Sequence, residues 1–230
     1  KVSKRVVKMI LEKISTTCDR FNKNRSNLMI LFSELCEAEA VDSNPVRDIK
    51  KKKLTKYLRD VLSDGERAIV NQYLKENYPS FHRFLHILFH SGARITELLR
   101  VKQDDLDLPN QRYNVIIKKG RNYKEVWKTI KDVALPYWES IISECSKGDF
   151  LFSKGLTPGQ TEIKPYQITK RWYRLVKKKI GIEADFYSLK HLHTTEIVDI
   201  LSEKEAAKHN EHTSTAMVVG IYDVNRDNRR

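Results

Sequence analysis

The chain has 230 residues, enough for one or two domains with cores of their own. Lys and Arg number 43 against 30 acidic residues, a formal charge of +13; an excess of this size favours a polyanionic partner, because each neutralised phosphate releases counterions. No apolar run reaches the length of a membrane span, and no terminal basic amphipathic helix or lipidation signal directs the charge to a membrane surface, so no membrane partner is expected. The three cysteines, Cys18, Cys36 and Cys145, are far apart and not in CxxC pairs. That pattern fits free thiols in a reducing compartment and a cytoplasmic location, not a disulfide or zinc framework. No signal peptide is visible, and a chain that begins at Lys1 is expected to be a piece of something longer.

Two helical segments come first. Val6, Val7, Ile10, Leu11 and Ile14 recur at helical spacing, as do Leu28, Leu31, Phe32 and Leu35. Pro45 breaks the pattern, and Lys50, Lys51, Lys52 and Lys53 read as a solvated basic linker suited to lie along phosphates. The expected division is therefore a helical piece over 1–45, a linker over 46–53 and a second domain over 54–230. In that domain Ser63 and Glu66 form a capping box that opens a helix running to about Tyr78. Pro79 opens another, whose wide apolar face of Phe81, Phe84, Leu85, Leu88 and Phe89 predicts deep burial. His82, His86 and His90 stand four apart beside that face; the spacing suits a metal, but no carboxylate or cysteine accompanies them, and core or boundary histidines are expected.

From Arg112 the pattern turns β-branched and aromatic. Tyr113–Ile117 and Val126–Ile130 predict a hairpin whose turn carries Lys118, Lys119, Gly120, Arg121 and Lys124. A third short strand is expected at Phe150, Leu151 and Phe152. The remainder reads as helix: Leu135 to Cys145, Pro165 to Ile180, and a shorter one capped by Ser202 with Glu205. The helix after Pro165 separates a buried stripe of Ile168, Trp172, Leu175 and Val176 from a basic stripe of Lys170, Arg171, Arg174, Lys177 and Lys178. A stripe of five cations without a carboxylate suits phosphate contact or insertion into a major groove. The fold class is thus α+β, mainly α, with a small three-stranded antiparallel sheet.

Four separated pieces follow in order: Ser91-Gly92-Ala93-Arg94-Ile95-Thr96-Glu97-Leu98; the basic hairpin around Lys119; Tyr187-Ser188-Leu189-Lys190-His191; and His212 with Tyr222 ten residues on. As an ordered set, from about Leu54 to Tyr222, they resemble the catalytic domain of the tyrosine recombinase family. Residues 6–41 are similar to the end of that family's helical core-binding domain, and Leu31–Leu35 with Ser43-Asn44-Pro45 to bacterial mobile-element and phage integrases. In the first piece a helix ends, glycine turns the chain and Arg94 begins the next helix, where guanidinium and amides can both face a phosphate; the bland alternative is an Arg94–Glu97 surface pair. The resemblance makes a hairpin lysine the acid that protonates a leaving 5′ oxygen, with Lys119 the best match and Lys118 and Lys124 rivals. The third piece departs from the family's His-x-x-Arg twice. Tyr187 stands where histidine is usual, and a phenol is a poor base at neutral pH. Lys190 stands where arginine is usual, a point charge without the planar bidentate fork. His191 or His193 can compensate. His212, rather than His209, matches the family's histidine before the nucleophilic tyrosine, at a spacing one residue longer than the common form.

What the resemblance implies is covalent phosphoryl transfer with neither metal nor other cofactor. Tyr222 attacks a DNA phosphodiester, Arg94, Lys190 and His212 stabilise the developing charge, and Lys119 protonates the leaving oxygen. The implied partners are double-stranded DNA carrying a specific site and further copies of the chain, a tetramer on paired sites, with a monomer expected in isolation. Two other readings stay open: a type IB topoisomerase, which shares the chemistry, and a DNA-binding relative whose second box has decayed.

Overall fold

The computed structural model describes residues 2–55, 61–119, 122–210 and 214–219, the side chain of residue 119 excepted. Two compact units separate, Lys1–Tyr57 and Leu58–Arg230. In the first, α1 (Lys4–Ile14) starts where Ser3 Oγ accepts the Val6 N–H at 3.4 Å, and α2 (Cys18–Glu37) where Thr17 Oγ1 accepts the Arg20 N–H at 3.2 Å. Val7, Leu11, Phe21, Val46 and Ile49 close a small core between them. Val6, Ile10, Ile14 and Leu31, expected on the buried faces, are exposed, because a single helix pair covers only a narrow stripe of each partner. The basic run is not a free linker either. Asn22 clips the backbone of Lys52, donating from Nδ2 to its carbonyl and accepting its N–H, each at 2.8 Å. The Lys52 ammonium lies 4.4 Å from the centre of the Phe21 ring, and Arg25 bonds the Ile49 carbonyl. Lys51, Lys52 and Lys53 nevertheless remain exposed.

The second unit is built around α4 (Pro79–Ser91). It touches α3 (Asp64–Asn77), α6 (Leu135–Ile142) and α9 (Ser188–Ile200). The capping box forms as expected: the Ser63 N–H reaches Glu66 Oε2 at 2.9 Å and the Glu66 N–H reaches Ser63 Oγ at 3.3 Å. Phe81, Phe84 and Ile87 are buried, with Phe84 edge-on to Phe152 at 4.9 Å. Arg83, on the same buried helix, is tolerated because Glu144 receives it bidentately, at 2.5 and 2.9 Å. Arg67 of α3 pairs with Glu196 of α9 and lies over the Phe89 ring. After α4 comes the four-residue α5 (Ile95–Leu98).

The sheet has the order β1-β2-β3, all antiparallel: β1 (Leu106–Asp107), β2 (Arg112–Lys119) and β3 (Asn122–Thr129). Tyr113, Val115 and Ile117 alternate inward on β2. The third strand is thus the short segment before the hairpin. Phe150 makes only isolated bridges, to Lys102 and Gly159, because Leu151 and Phe152 are fully buried in the core and the chain turns again at Gly155. The strands also run further than the sequence pattern predicts, since Lys119 pairs with Asn122.

The helix expected over 165–180 is α7 (Pro165–Trp172), a wider π turn over Tyr173–Lys177, and α8 (Lys178–Ile180). Ile168, Trp172 and Val176 form its buried stripe, and the Trp172 indole donates to the Ala184 carbonyl at 2.9 Å. Last comes α10 (Glu203–His209), capped by Ser202, whose Oγ accepts the Glu205 N–H at 3.1 Å. Among the described residues no helix is long and apolar enough to cross a membrane. Val218 is fully buried against Ile197 of α9 and Ala206 and Ala207 of α10, a cluster separate from the main core. Val218→Ala removes two methyl groups there and is expected to weaken the cluster by about 1–2 kcal/mol. The readout is faster amide hydrogen exchange in α10 with α4 unchanged; equal acceleration in both helices would contradict a separate cluster.

Candidate active site

The turn that ends α4 is fixed from three directions. Gly92 adopts a left-handed conformation (φ +62°). Ser91 Oγ donates to the Leu88 carbonyl at 2.9 Å and accepts the Ala93 N–H at 3.2 Å, and the buried Tyr113 hydroxyl donates to the Ser91 carbonyl at 3.1 Å. Burial lifts the Tyr113 phenol far above its usual range, so it stays a donor. Arg94 then caps α5. Its N–H meets Glu97 Oε2 at 2.8 Å and its Nη1 meets Glu97 Oε1 at 2.6 Å. Glu97 is buried while Arg94 is half exposed, so the pair is no loose surface contact. A buried carboxylate aims a guanidinium whose outer face remains open.

Opposite stands the start of α9. A cavity of about 260 Å³ is lined by Arg94, Thr96, Tyr187, Lys190, His193 and Asn210, among others. Lys190 and His193, three apart, share the helix face turned to it; His191 is buried and does not line it. Burial, then the charges of Arg94 and Lys128, push the Lys190 ammonium down to about 8, against the opposing pull of Glu97. Tyr187 is exposed at the mouth, as the residue that precedes α9.

Behind the cavity His193 Nε2 and His209 Nε2 lie 3.2 Å apart. Both imidazoles are held neutral at ordinary pH, His209 down to about 3, by burial first and then by Lys131. One ring donates and the other accepts. Lys128, buried on β3, donates from Nζ to the His209 carbonyl at 3.1 Å. Asn210 donates to Thr194 Oγ1 at 3.0 Å, and Thr194 donates to the Lys190 carbonyl at 2.8 Å. Sequence reasoning missed Lys128, Lys131 and Asn210, and set His209 aside in favour of His212. For Lys128 a signal existed: strand alternation puts it on the same face as Val126 and Ile130, an unusual place for a cation without an anionic ligand.

The other expected site residues are less gathered. Lys118 is exposed with its ammonium 5.5 Å from the Tyr123 ring centre, and Lys124 pairs with Ile117. Lys119 closes β2, and its side chain lies outside the described atoms. His212 and Tyr222 lie outside the described residues; the chain is followed to Asn210 and again over 214–219. On the basic helix Lys170, Arg174 and Lys178 are exposed. Arg171 is partly occupied, donating to the Gly155 carbonyl at 3.3 Å, and Lys177 faces Glu183 at 3.8 Å, so a carboxylate from beyond the helix does enter this stripe.

Chemically, the charges of Arg94 and Lys128 act on Lys190 beside a small cavity in which Glu97 is committed to Arg94, and Lys128, Lys131 and Lys190 all act on His209 behind it. Such a surplus of positive charge suits an anion with several oxygens, and a phosphodiester is of that kind. A helical domain with a three-stranded sheet and a cationic pocket behind an Arg-bearing turn defines the class. Residues 60–229 match the phage integrase family, and the chain belongs to that family. A tyrosine recombinase of Thermosipho africanus (strain TCF52B) is 22% identical over 205 residues, covering 86% of this chain and 70% of the relative. The Tn1549 transposon integrase, solved in complex with circular intermediate DNA, is similar with a TM-score of 0.73 at 16% identity, over 100% of this chain and 85% of that one. A lambda integrase dimer bound to a COC′ core site gives 0.74 at 16% identity, over 94% and 81%. Structural likeness at such identities establishes the fold.

Gly92 offers a direct test of the pocket. A Cβ there would stand 2.5 Å from His209 Nε2 and 2.9 Å from the His209 carbonyl. The left-handed conformation alone costs a side chain about 1–2 kcal/mol. Gly92→Ala is therefore expected to lower the thermal midpoint and to displace α10, which circular dichroism melts and hydrogen exchange over residues 203–209 will read.

Proposed function

We propose that this chain is a site-specific DNA recombinase that cuts and rejoins strands through a 3′-phosphotyrosyl link to Tyr222. The observation that carries this reading is the cavity shared by Arg94 and Lys190, the first-box arginine and the residue in place of the second-box arginine. Tyr222 attacks the scissile phosphorus as its phenolic proton passes to solvent water, and the P–O5′ bond breaks. Lys119 delivers a proton to the departing 5′ oxygen. Arg94, Lys190 and His212 balance the charge on the non-bridging oxygens, the contribution expected to matter most. A 5′ hydroxyl from a second strand then attacks the phosphotyrosine and restores both the diester and the phenol. Each step exchanges one phosphoester for another, so the bond energy is conserved.

Duplex DNA is the substrate, with Lys51, Lys52, Lys53, Lys170, Arg171, Arg174, Lys177 and Lys178 as backbone contacts and a tetramer on paired sites as the working assembly. The net charge and the DNA-bound state of the similar integrases support this. One further reading has an observation in its favour: with Tyr187 and Lys190 in the second box, the chain can be a binder that no longer cleaves. Arg94 held by Glu97 beside Lys190 favours the enzyme, because a pure binder needs no clamp directed at one phosphate.

Three outcomes test the proposal on a nicked substrate carrying the recombination site. The native chain forms a covalent protein–DNA adduct on denaturing gels, and Tyr222→Phe forms none. An adduct that survives this change removes Tyr222 as the nucleophile; specific binding with no adduct from the native chain supports the decayed binder. Lys190→Ala abolishes cleavage, with a loss on the order of 100-fold or more, while Lys190→Arg retains or improves it. Lys190 is charged below about pH 8 and loses its charge above that. Single-turnover cleavage by the native chain is therefore expected to fall as pH rises through about 8. In Lys190→Arg that alkaline limb moves upward, because guanidinium keeps its proton.

A further inference from the structure

Helix α4 carries imidazoles for which strand exchange has no use. His82 and His86, one turn apart, bring their Nε2 atoms to 3.1 Å, and each Nε2 lies 2.8 Å from Oδ1 of Asn71 on α3. Protons cannot satisfy this triangle. If both histidines carry the proton on Nε2, both donate to the amide oxygen, but two N–H groups then confront each other. If one gives its proton to Nδ1, its bare nitrogen faces the bare oxygen. Turning the amide round, so that nitrogen replaces oxygen, leaves two bare imidazole nitrogens opposed. In every arrangement one of the three contacts is repulsive. A cation held by all three atoms makes every contact attractive at once, since each atom then offers it a lone pair.

We propose that His82, His86 and Asn71 form a binding site for a first-row transition-metal dication of the Zn²⁺ or Cu²⁺ type. Ligands at about 2.05 Å in tetrahedral array stand about 3.3 Å apart, and the triangle's edges of 2.8, 2.8 and 3.1 Å need only a small expansion to match. The rings are already placed. His86 stacks on Tyr137 with centroids 4.5 Å apart and planes at 13°, and His82 meets the same tyrosine edge-on at 6.0 Å. Burial keeps both imidazoles neutral, His86 down to about 4, which is the ligating state. A cavity of about 350 Å³, lined by these three residues with Asp64, Arg67 and His90 among others, leaves room for water to complete the coordination. Among the described residues no three His, Cys, Asp or Glu side chains cluster for a metal. The amide oxygen as third ligand, and the nearby charges of Lys75 and Arg67, make this an exchangeable site that favours Cu²⁺ over Zn²⁺ and both over Mg²⁺. Occupancy ties α3 to the middle of α4, two turns before the Arg94 turn.

The test is thermal unfolding of the full chain with Zn²⁺, Cu²⁺ or Mg²⁺. At roughly 100 times the dissociation constant, Zn²⁺ and Cu²⁺ are expected to raise the midpoint by roughly 5–10 °C, and Mg²⁺ to leave it in place. The rise disappears in His82→Gln/His86→Gln and shrinks in Asn71→Ala. No rise with either metal, or a rise undiminished in the double variant, overturns the proposal. Should the double variant fail to fold, electron paramagnetic resonance of Cu²⁺ on the native chain decides. Hyperfine structure from two imidazole nitrogens supports the site, and fewer than two refutes it.

Discussion

The grip of Glu97 on Arg94 is the contact on which the rest of the second unit depends. Burying a carboxylate is expensive unless its charge and its lone pairs are both met, and Glu97 finds both within one residue, the N–H and the guanidinium of Arg94. Because the two bonds go to opposite ends of that residue, neither the backbone nor the side chain can rotate independently. The turn that presents Arg94 needs α4 to end sharply at Gly92, and α4 in turn needs the apolar faces of α3, α6 and α9 to hold it. The large aromatic core thus serves to keep one short turn in place.

Around that turn the chain gathers charge of one sign. Lys128, Lys131 and Lys190 each lose solvent, and burial above all holds the Lys131 and Lys190 ammonium groups below their ordinary range. Lys190 in its folded setting gives up its proton near 8, below the value of an unfolded chain. Below about pH 8 the folded state therefore carries a penalty at this residue, which fades as pH rises toward the unfolded value.

Much of this was legible in the sequence because the signals were local. The capping box at Ser63, the N-cap at Ser202, the apolar face of α4 and the alternation of Tyr113, Val115 and Ile117 all follow from short-range pattern, and all appear in the fold. Arg94 and Lys190 are singled out by their order in the chain, and the fold brings both to one cavity. What could not be read depends on distant partners. The short strand at Leu106 is defined only by its pairing with Tyr113. Lys52 is clipped by a side chain thirty residues earlier. The π turn within the basic helix widens one turn without any proline or glycine to announce it. Lys128 and His209 acquire meaning only when β3 and α10 meet.

That meeting bears on when the pocket comes into being. Gly92 and His209 touch closely although most of the second unit's sequence separates them. Closing so long a loop is entropically slow, and contacts of this range form late in folding. During synthesis, the arginine turn leaves the ribosome well before its histidine neighbour is translated. A half-made chain therefore holds Arg94 without the wall that confines it, and the cationic pocket is completed among the last parts of the molecule.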